Sequence, residues 1–229
     1  SDDFHGIGIA GPKSRDLLQR LVREDVSNDK FKFRDSKRMF VAGVPAIVNR
    51  ISFTGELGYE IYVAPHYQIK LYEELMNAGK EFNIKPFGSR ALMSMRLEKN
   101  WGAWTLDYRP DFTAKETGLD KFINWDKEFI GKESAKKDNS QSKLVPLMVE
   151  TNDIDVTYNE AVLKGDKSIG YVTSGGFAHF VNKSVAFSYL NTKELNSEKG
   201  IQVEINGDLF NCLIIKEPLY DPSGLKMRS

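Results

Sequence analysis

After Leu144 the chain breaks into six short β-rich runs divided by turn residues: LVPLMVE, EAVLK, SIGYVTSG, SVAFSYL, IQVEING and LFNCLIIKEPLY. This texture predicts a small all-β domain, a barrel or a sandwich. The last two runs meet at Asn206-Gly207-Asp208, where asparagine and glycine accept the positive φ of a tight hairpin turn. Cys212 alternates within the final run and reads as a core residue, with no neighbouring base to make it a nucleophile. His179, in TSGGFAHF, shows no acid–base partner and reads as a loop residue. Lys136 to Lys143, KKDNSQSK, has the polarity of a linker. The expected division is therefore residues 1–140 as an α+β region and residues 141–229 as the β domain.

Within the first region the stretch ISFTGELGYEIYV, Ile51 to Val63, predicts a β-hairpin. Gly55 and Gly58 bracket Glu56 and Leu57, a spacing suited to reversing the chain through positive-φ positions. Beyond the turn, Leu57, Tyr59, Ile61 and Val63 fall on one face of a strand, and Gly58, Glu60 and Tyr62 on the other. The first set belongs to a core. Glu60 then has two readings, an ordinary surface carboxylate or a ligand carboxylate on a rigid strand, and alternation does not choose between them.

At the front, GIGIAG satisfies the G-x-G-x-x-G spacing of a dinucleotide-binding turn with Gly6, Gly8 and Gly11. Such a turn follows a hydrophobic strand, and only Ser1 to His5 come before it here. Ile7 and Ile9 instead suit the interior of a strand ending at Gly11-Pro12, followed by an amphipathic helix carrying Leu17, Leu18, Leu21 and Val22. MFVAG and VPAIVNRIS are two further strands. A second helix is expected to bury Ile69, Tyr72, Leu75 and Met76. A third, Arg90 to Lys99, has apolar residues around most of its circumference and is expected to be buried on several sides. Arg90 sits in its first turn, where the helix dipole disfavours a cation. It has either a specific anionic or carbonyl partner, or a plain surface role. Trp101, Trp104, Tyr108 and Phe112 then crowd an irregular segment that either lines a pocket for a flat ligand or covers a core edge.

Lysine plus arginine equals aspartate plus glutamate at 32 each, so no electrostatic footprint for nucleic acid or an anionic membrane is expected. The single Cys212 excludes an intrachain disulfide framework and suits a reducing compartment. His5 and His66 lack metal-ligand spacing, and no metal is expected. No apolar run reaches the roughly 20 residues of a membrane span, and SDDFHGIG lacks signal-peptide character. The expectation is a soluble protein of the cytoplasm or the mitochondrial matrix.

Phe53-Thr54-Gly55-Glu56-Leu57-Gly58-Tyr59-Glu60 resembles the Y-x-G-E-x-G-[FYW]-E signature of the folate-dependent glycine-cleavage T-protein (aminomethyltransferase) family. Four further stretches agree with that family in order: Gly88-Ser89-Arg90 with Arg96-Leu97-Glu98-Lys99, Lys115 to Leu119, Phe129 to Lys132, and Gly170 to Gly175. Within the family, the Trp101 to Pro110 segment and the ending Glu217 to Pro222 with Met227-Arg228 are most similar to the carboxyl-terminal folate domain of dimethylglycine and sarcosine dehydrogenases. The iron–sulfur assembly relatives carry a cysteine in the equivalent of the Glu60 motif, and none is present here.

The resemblance implies a fold in which an incomplete folate-binding module is followed by a C-terminal β-barrel. It implies tetrahydrofolate as cofactor, with Glu60 accepting two hydrogen bonds from the pterin and Arg90 at the folate site. Phe53 stands where the family usually has tyrosine, and Tyr59 and Trp101 complete the expected folate-binding set. The family's catalytic aspartate lies in a segment preceding the stretch that matches Phe4 to Pro12, and this chain does not contain it. The implied reaction is one-carbon transfer during demethylation of an N-methyl amine such as dimethylglycine or sarcosine. A flavin, FAD, on a separate or missing domain oxidises the amine to an iminium, and folate captures the carbon as 5,10-methylenetetrahydrofolate. The chain is then a fragment or a subunit not expected to turn over alone. The alternatives are a glycine-cleavage aminomethyltransferase, a methyltransferase for a sulfonium substrate, and a non-catalytic folate-binding scaffold.

Overall fold

The computed structural model describes residues 2–151, 153–196 and 199–229. The chain forms two compact units, one from the residues up to Leu92 together with Asp221–Ser229, the other from Met93–Tyr220. The barrel begins at Ser142, close to the expected linker, whereas the compact unit containing it starts inside a helix some fifty residues earlier.

The first unit contains β1 (His5–Ala10), α1 (Ser14–Leu21), β2 (Ser36–Val41), β3 (Val44–Asn49), β4 (Gly58–Val63), α2 (Gln68–Ala78) and the start of α3 (Ser89–Glu98). The strands make one antiparallel sheet in the order β1-β4-β3-β2. Alternation in β4 works as the sequence suggests: Leu57, Tyr59, Ile61 and Val63 are buried in a core shared with Leu17 and Leu18 of α1 and Leu71 and Leu75 of α2. Burying side chains of this size stabilises the fold by about 1.5 to 3 kcal/mol each.

The hairpin is wider than expected. β3 ends at Asn49, opposite Glu60, and residues 50–57 form the connection. Arg50 opens it, with a fully buried side chain that donates to Asn28 Oδ1 at 2.6 Å and to the Phe31 carbonyl. Gly55 takes the turn conformation at φ +86°, but Gly58 does not. Gly58 lies inside β4, where a Cβ would sit 3.1 Å from the Ile9 carbonyl oxygen, so close backbone approach is what demands glycine there. Two helix faces also differ from expectation. In α2 the buried residues are Leu71 and Leu75, with Ile69 and Tyr72 exposed. In α3 burial is confined to the last turn, Arg96, Leu97 and Glu98.

The second unit carries α4 (Lys132–Lys136), β5 (Ser142–Val149), β6 (Ala161–Lys164), β7 (Lys167–Ala178), β8 (Lys183–Asn191), β9 (Ile201–Ile205) and β10 (Asp208–Ile214). These six strands match the six runs in the sequence and close into a barrel in the order β10-β5-β8-β7-β6-β9. Asn206 and Gly207 make the last turn at φ +53° and +93°. At Gly170 a Cβ would fall 1.9 Å from the Tyr189 carbonyl oxygen, so only glycine lets β7 pass β8 there. Strand β8 is buried on both faces: Ala186 and Leu190 fill the barrel, and Val185, Phe187 and Tyr189 belong to a second cluster outside it. Tyr108 and Phe112 pack on that outer cluster, with the Phe112 ring stacked on Tyr189 at 3.4 Å between centroids. That part of the aromatic segment covers a core edge. A short helix, α5 (Leu225–Arg228), returns to the first unit.

A buried charge pair, which no periodicity announces, ties this segment to the barrel. Arg96 Nη1 donates to Asp107 Oδ2 at 2.6 Å, and both side chains are shut off from solvent. Asp107 also accepts from the Ala103 amide and from the Thr173 and Ser174 hydroxyls of β7, and the Tyr189 hydroxyl donates to its carbonyl.

Candidate functional site

The site grows from the face of the first sheet that the core does not use. On β4 that face carries Gly58, Glu60 and Tyr62, and the strand register sets Ala10, Gly8 and Gly6 of β1 directly opposite them. Directly paired residues share a face, so β1 contributes almost no side chain here. Gly8 thus leaves bare backbone beside Glu60, and Gly6 leaves room for the Tyr62 ring. Above it opens a cavity of about 630 Å³. Phe53 comes from the β3–β4 connection, Tyr72 and Met76 from α2, and Phe87 from the segment before α3, giving walls that are mostly apolar and aromatic. Glu60 and Lys85 are the charged residues among them. A smaller hollow of about 290 Å³ shares Gly8, Ala10 and Phe87 with this cavity and reaches Lys13.

Glu60 is half-buried, and its Oε2 accepts a hydrogen bond of 2.6 Å from the Tyr62 hydroxyl, two residues along the same strand. That bond to Glu60, with burial and the carboxylate charge adding to it, pushes the Tyr62 phenol up to about 12. The phenol therefore stays a donor at physiological pH. An ionised carboxylate accepts at several lone pairs, so Glu60 keeps acceptor capacity beyond Tyr62. The chemistry offered is recognition of a flat, donor-rich ring edge by a carboxylate inside an aromatic-walled space.

Three of the five residues expected in a folate site meet at this cavity. Glu60 and Phe53 line it from the open face, and Tyr59 contributes to its wall while its ring packs toward the core, 5.7 Å from Phe31. Arg90 is exposed in the first turn of α3 and is not among the lining residues. Trp101 belongs to the other unit, with its ring under Lys99 Nζ at 5.7 Å and its carbonyl accepting from Arg96 at 3.1 Å. Sequence reasoning missed Gly6 and Gly8 as lining residues, and it assigned Tyr72 and Met76 to the core. The signal for the glycines was present: they recur every second residue, on the face opposite Ile7 and Ile9. Among the described residues no group of histidine, cysteine, aspartate or glutamate is placed to hold a metal ion, and no helix is long and apolar enough to cross a membrane.

An antiparallel sheet with packed helices, its free face hollowed around one carboxylate, followed by a closed six-stranded barrel, defines an aminomethyltransferase-like fold. Residues 1–127 match the GCVT N-terminal domain and residues 143–221 match the glycine cleavage T-protein C-terminal barrel domain, so the chain belongs to the glycine cleavage T-protein family. It is 38% identical over 224 residues to mitochondrial dimethylglycine dehydrogenase of Homo sapiens, a match covering 96% of this chain and 26% of that protein. It is 32% identical over 224 residues to the aminomethyltransferase of Caldanaerobacter subterraneus subsp. tengcongensis, covering 96% of this chain and 59% of that one. The crystal structure of glycine cleavage system aminomethyltransferase T from Bartonella henselae shares the fold, with a TM-score of 0.83 at 20% identity over 96% of this chain and 60% of that chain. The chain thus spans about a quarter of the dehydrogenase and about three-fifths of the aminomethyltransferases.

Proposed function

We propose that this chain is the reduced-folate-binding part of a one-carbon transferase that acts in the demethylation of an N-methyl amine. The observation that carries the reading is the placement of Glu60, an acceptor on a rigid strand, beside backbone left bare by Gly8, its partner in the strand register. A flat heterocycle can approach such backbone closely, and a carboxylate is the one side chain that accepts two parallel N–H donors without offering any itself. Phe53, Tyr72 and Phe87 would flank the ring and exclude water. Lys85 and Lys13, at the smaller hollow, suit the anionic end of an elongated ligand. The folate, once bound, supplies the nitrogen nucleophile that takes up the one-carbon unit. This chain's residues contribute binding, orientation and desolvation.

The choice of an N-methyl amine over the aminomethyl group of glycine cleavage is supported by the higher identity to dimethylglycine dehydrogenase, 38% against 32% for an aminomethyltransferase. On this reading a flavin-bearing dehydrogenase domain or subunit produces the one-carbon donor and is the chain's partner. The dehydrogenase relatives named as mitochondrial support the matrix as its compartment. Titration calorimetry with 5-formyltetrahydrofolate tests the proposal. Glu60→Ala should weaken binding by about 1 to 3 kcal/mol, the cost of leaving buried ring donors unpaired. Unchanged affinity would remove Glu60 from the site and the folate reading with it.

A further inference from the structure

Gly6 and Gly8 both lie within β1, and neither has a positive φ, so backbone conformation does not call for glycine at either position. Space does, and differently at each. A Cβ built on Gly8 meets nothing within 4 Å, as expected of a residue facing an open cavity. A Cβ on Gly6 would sit 3.1 Å from Cε1 and 3.4 Å from Cδ1 of the Tyr62 ring, tighter than ordinary carbon–carbon contact. The Tyr62 ring therefore lies across the bare backbone of Gly6, its partner in the strand register. From there its hydroxyl reaches Glu60 Oε2 at 2.6 Å. Residues two apart on a strand stand roughly 6 to 7 Å from each other, so this bond exists only because the ring leans along the strand.

We infer that Tyr62 is a positioning residue for Glu60, and that Gly6 belongs to the same device because a side chain there would lift the ring and detach its hydroxyl from the carboxylate. The inference rests on the folate reading for its functional meaning, while its geometry stands apart from any ligand. The raised phenol described above agrees with it, since the hydrogen bond to Glu60 is the largest cause.

A double-mutant cycle in the full chain tests it, with affinity for 5-formyltetrahydrofolate as one readout and the Tyr62 phenol titration, followed by NMR of ¹³Cζ-labelled tyrosine in ligand-free protein, as the other. Tyr62→Phe keeps the ring and the packing but removes the donor, and affinity should fall about tenfold. Gly6→Ala should fall by a similar factor alone and cause no further loss in the Tyr62→Phe background, because both changes break the same bond. In ligand-free protein, Glu60→Gln and Gly6→Ala should each bring the Tyr62 titration down from about 12 toward the ordinary tyrosine range. Additive losses would overturn the inference, by showing that an alanine at position 6 obstructs the ligand directly. So would a Tyr62→Phe variant that binds like the native chain. Should native protein fail to bind the folate at all, the folate reading falls, and the phenol titration alone decides: a value unmoved by both Glu60→Gln and Gly6→Ala overturns the positioning role.

Discussion

Removing the Asp107 carboxylate should destabilise the barrel-containing unit by about 3 to 5 kcal/mol, the range for breaking a buried ion pair from one side. Its oxygens accept four donors: Arg96 Nη1 at 2.6 Å, the Ala103 amide at 2.8 Å, and the Thr173 and Ser174 hydroxyls. Leaving four buried donors unpaired at about 1 to 3 kcal/mol each would sum to more, but water entering the space vacated by the side chain offsets part of that cost. The decisive part is Arg96. Its side chain is sealed from solvent, and its Nε and Nη2 have no hydrogen-bond partner among the described residues, so Asp107 is its charge compensation. Burial pulls the Arg96 guanidinium pKa down, and Asp107 opposes that shift. Urea unfolding followed by tryptophan fluorescence isolates the effect, because Trp101, Trp104 and Trp125 all lie in this unit. Asp107→Ala should shift the transition by the stated amount, and the double variant Arg96→Met/Asp107→Leu, which removes both charges, should be less destabilised than Asp107→Ala alone. A loss below about 1 kcal/mol for Asp107→Ala, or a double variant worse than the single one, would refute the reasoning.

Two more outcomes follow from buried titratable groups in the same unit. Burial raises the Glu98 carboxyl above its ordinary range despite the hydrogen bond from the Phe180 amide, so the folded state holds this proton more tightly than the unfolded state. That preference favours the native chain at low pH and is lost as pH rises from the ordinary glutamate range through the raised folded value. Urea midpoints of native protein relative to Glu98→Gln should accordingly decline as pH rises above the ordinary glutamate range, and a flat difference would contradict the assignment. Burial pushes the Cys212 thiol up to about 12, and the residue is only 4% exposed. Its reaction with a disulfide reagent at neutral pH should proceed only as fast as the unit opens, and rapid labelling of native protein would show the strand accessible.

The elements whose causes are local were legible in the chain. The six barrel strands follow from runs of β-branched and aromatic residues punctuated by turns, and Asn206-Gly207 names its turn because both residues tolerate positive φ. Alternation placed Glu60 and Tyr62 on one face of β4 and the core residues on the other, since side chains in a strand reverse direction at every step. The T-protein signature ending at Glu60 pointed to the family for the same reason, being contiguous. The features that were not legible depend on pairings between distant residues. The meaning of Gly6 and Gly8 required the register that sets β1 against β4, more than fifty residues away, and neither strand alone fixes that register. Tyr72 and Met76 have the spacing of core residues, but the rotation of α2 on its sheet, set by Leu71 and Leu75, turned them toward the cavity instead. Arg96 and Asp107 look like any surface charges in a composition count. Their burial comes from a loop folding back over the outer face of β8, a long-range event that leaves no periodic trace in the chain.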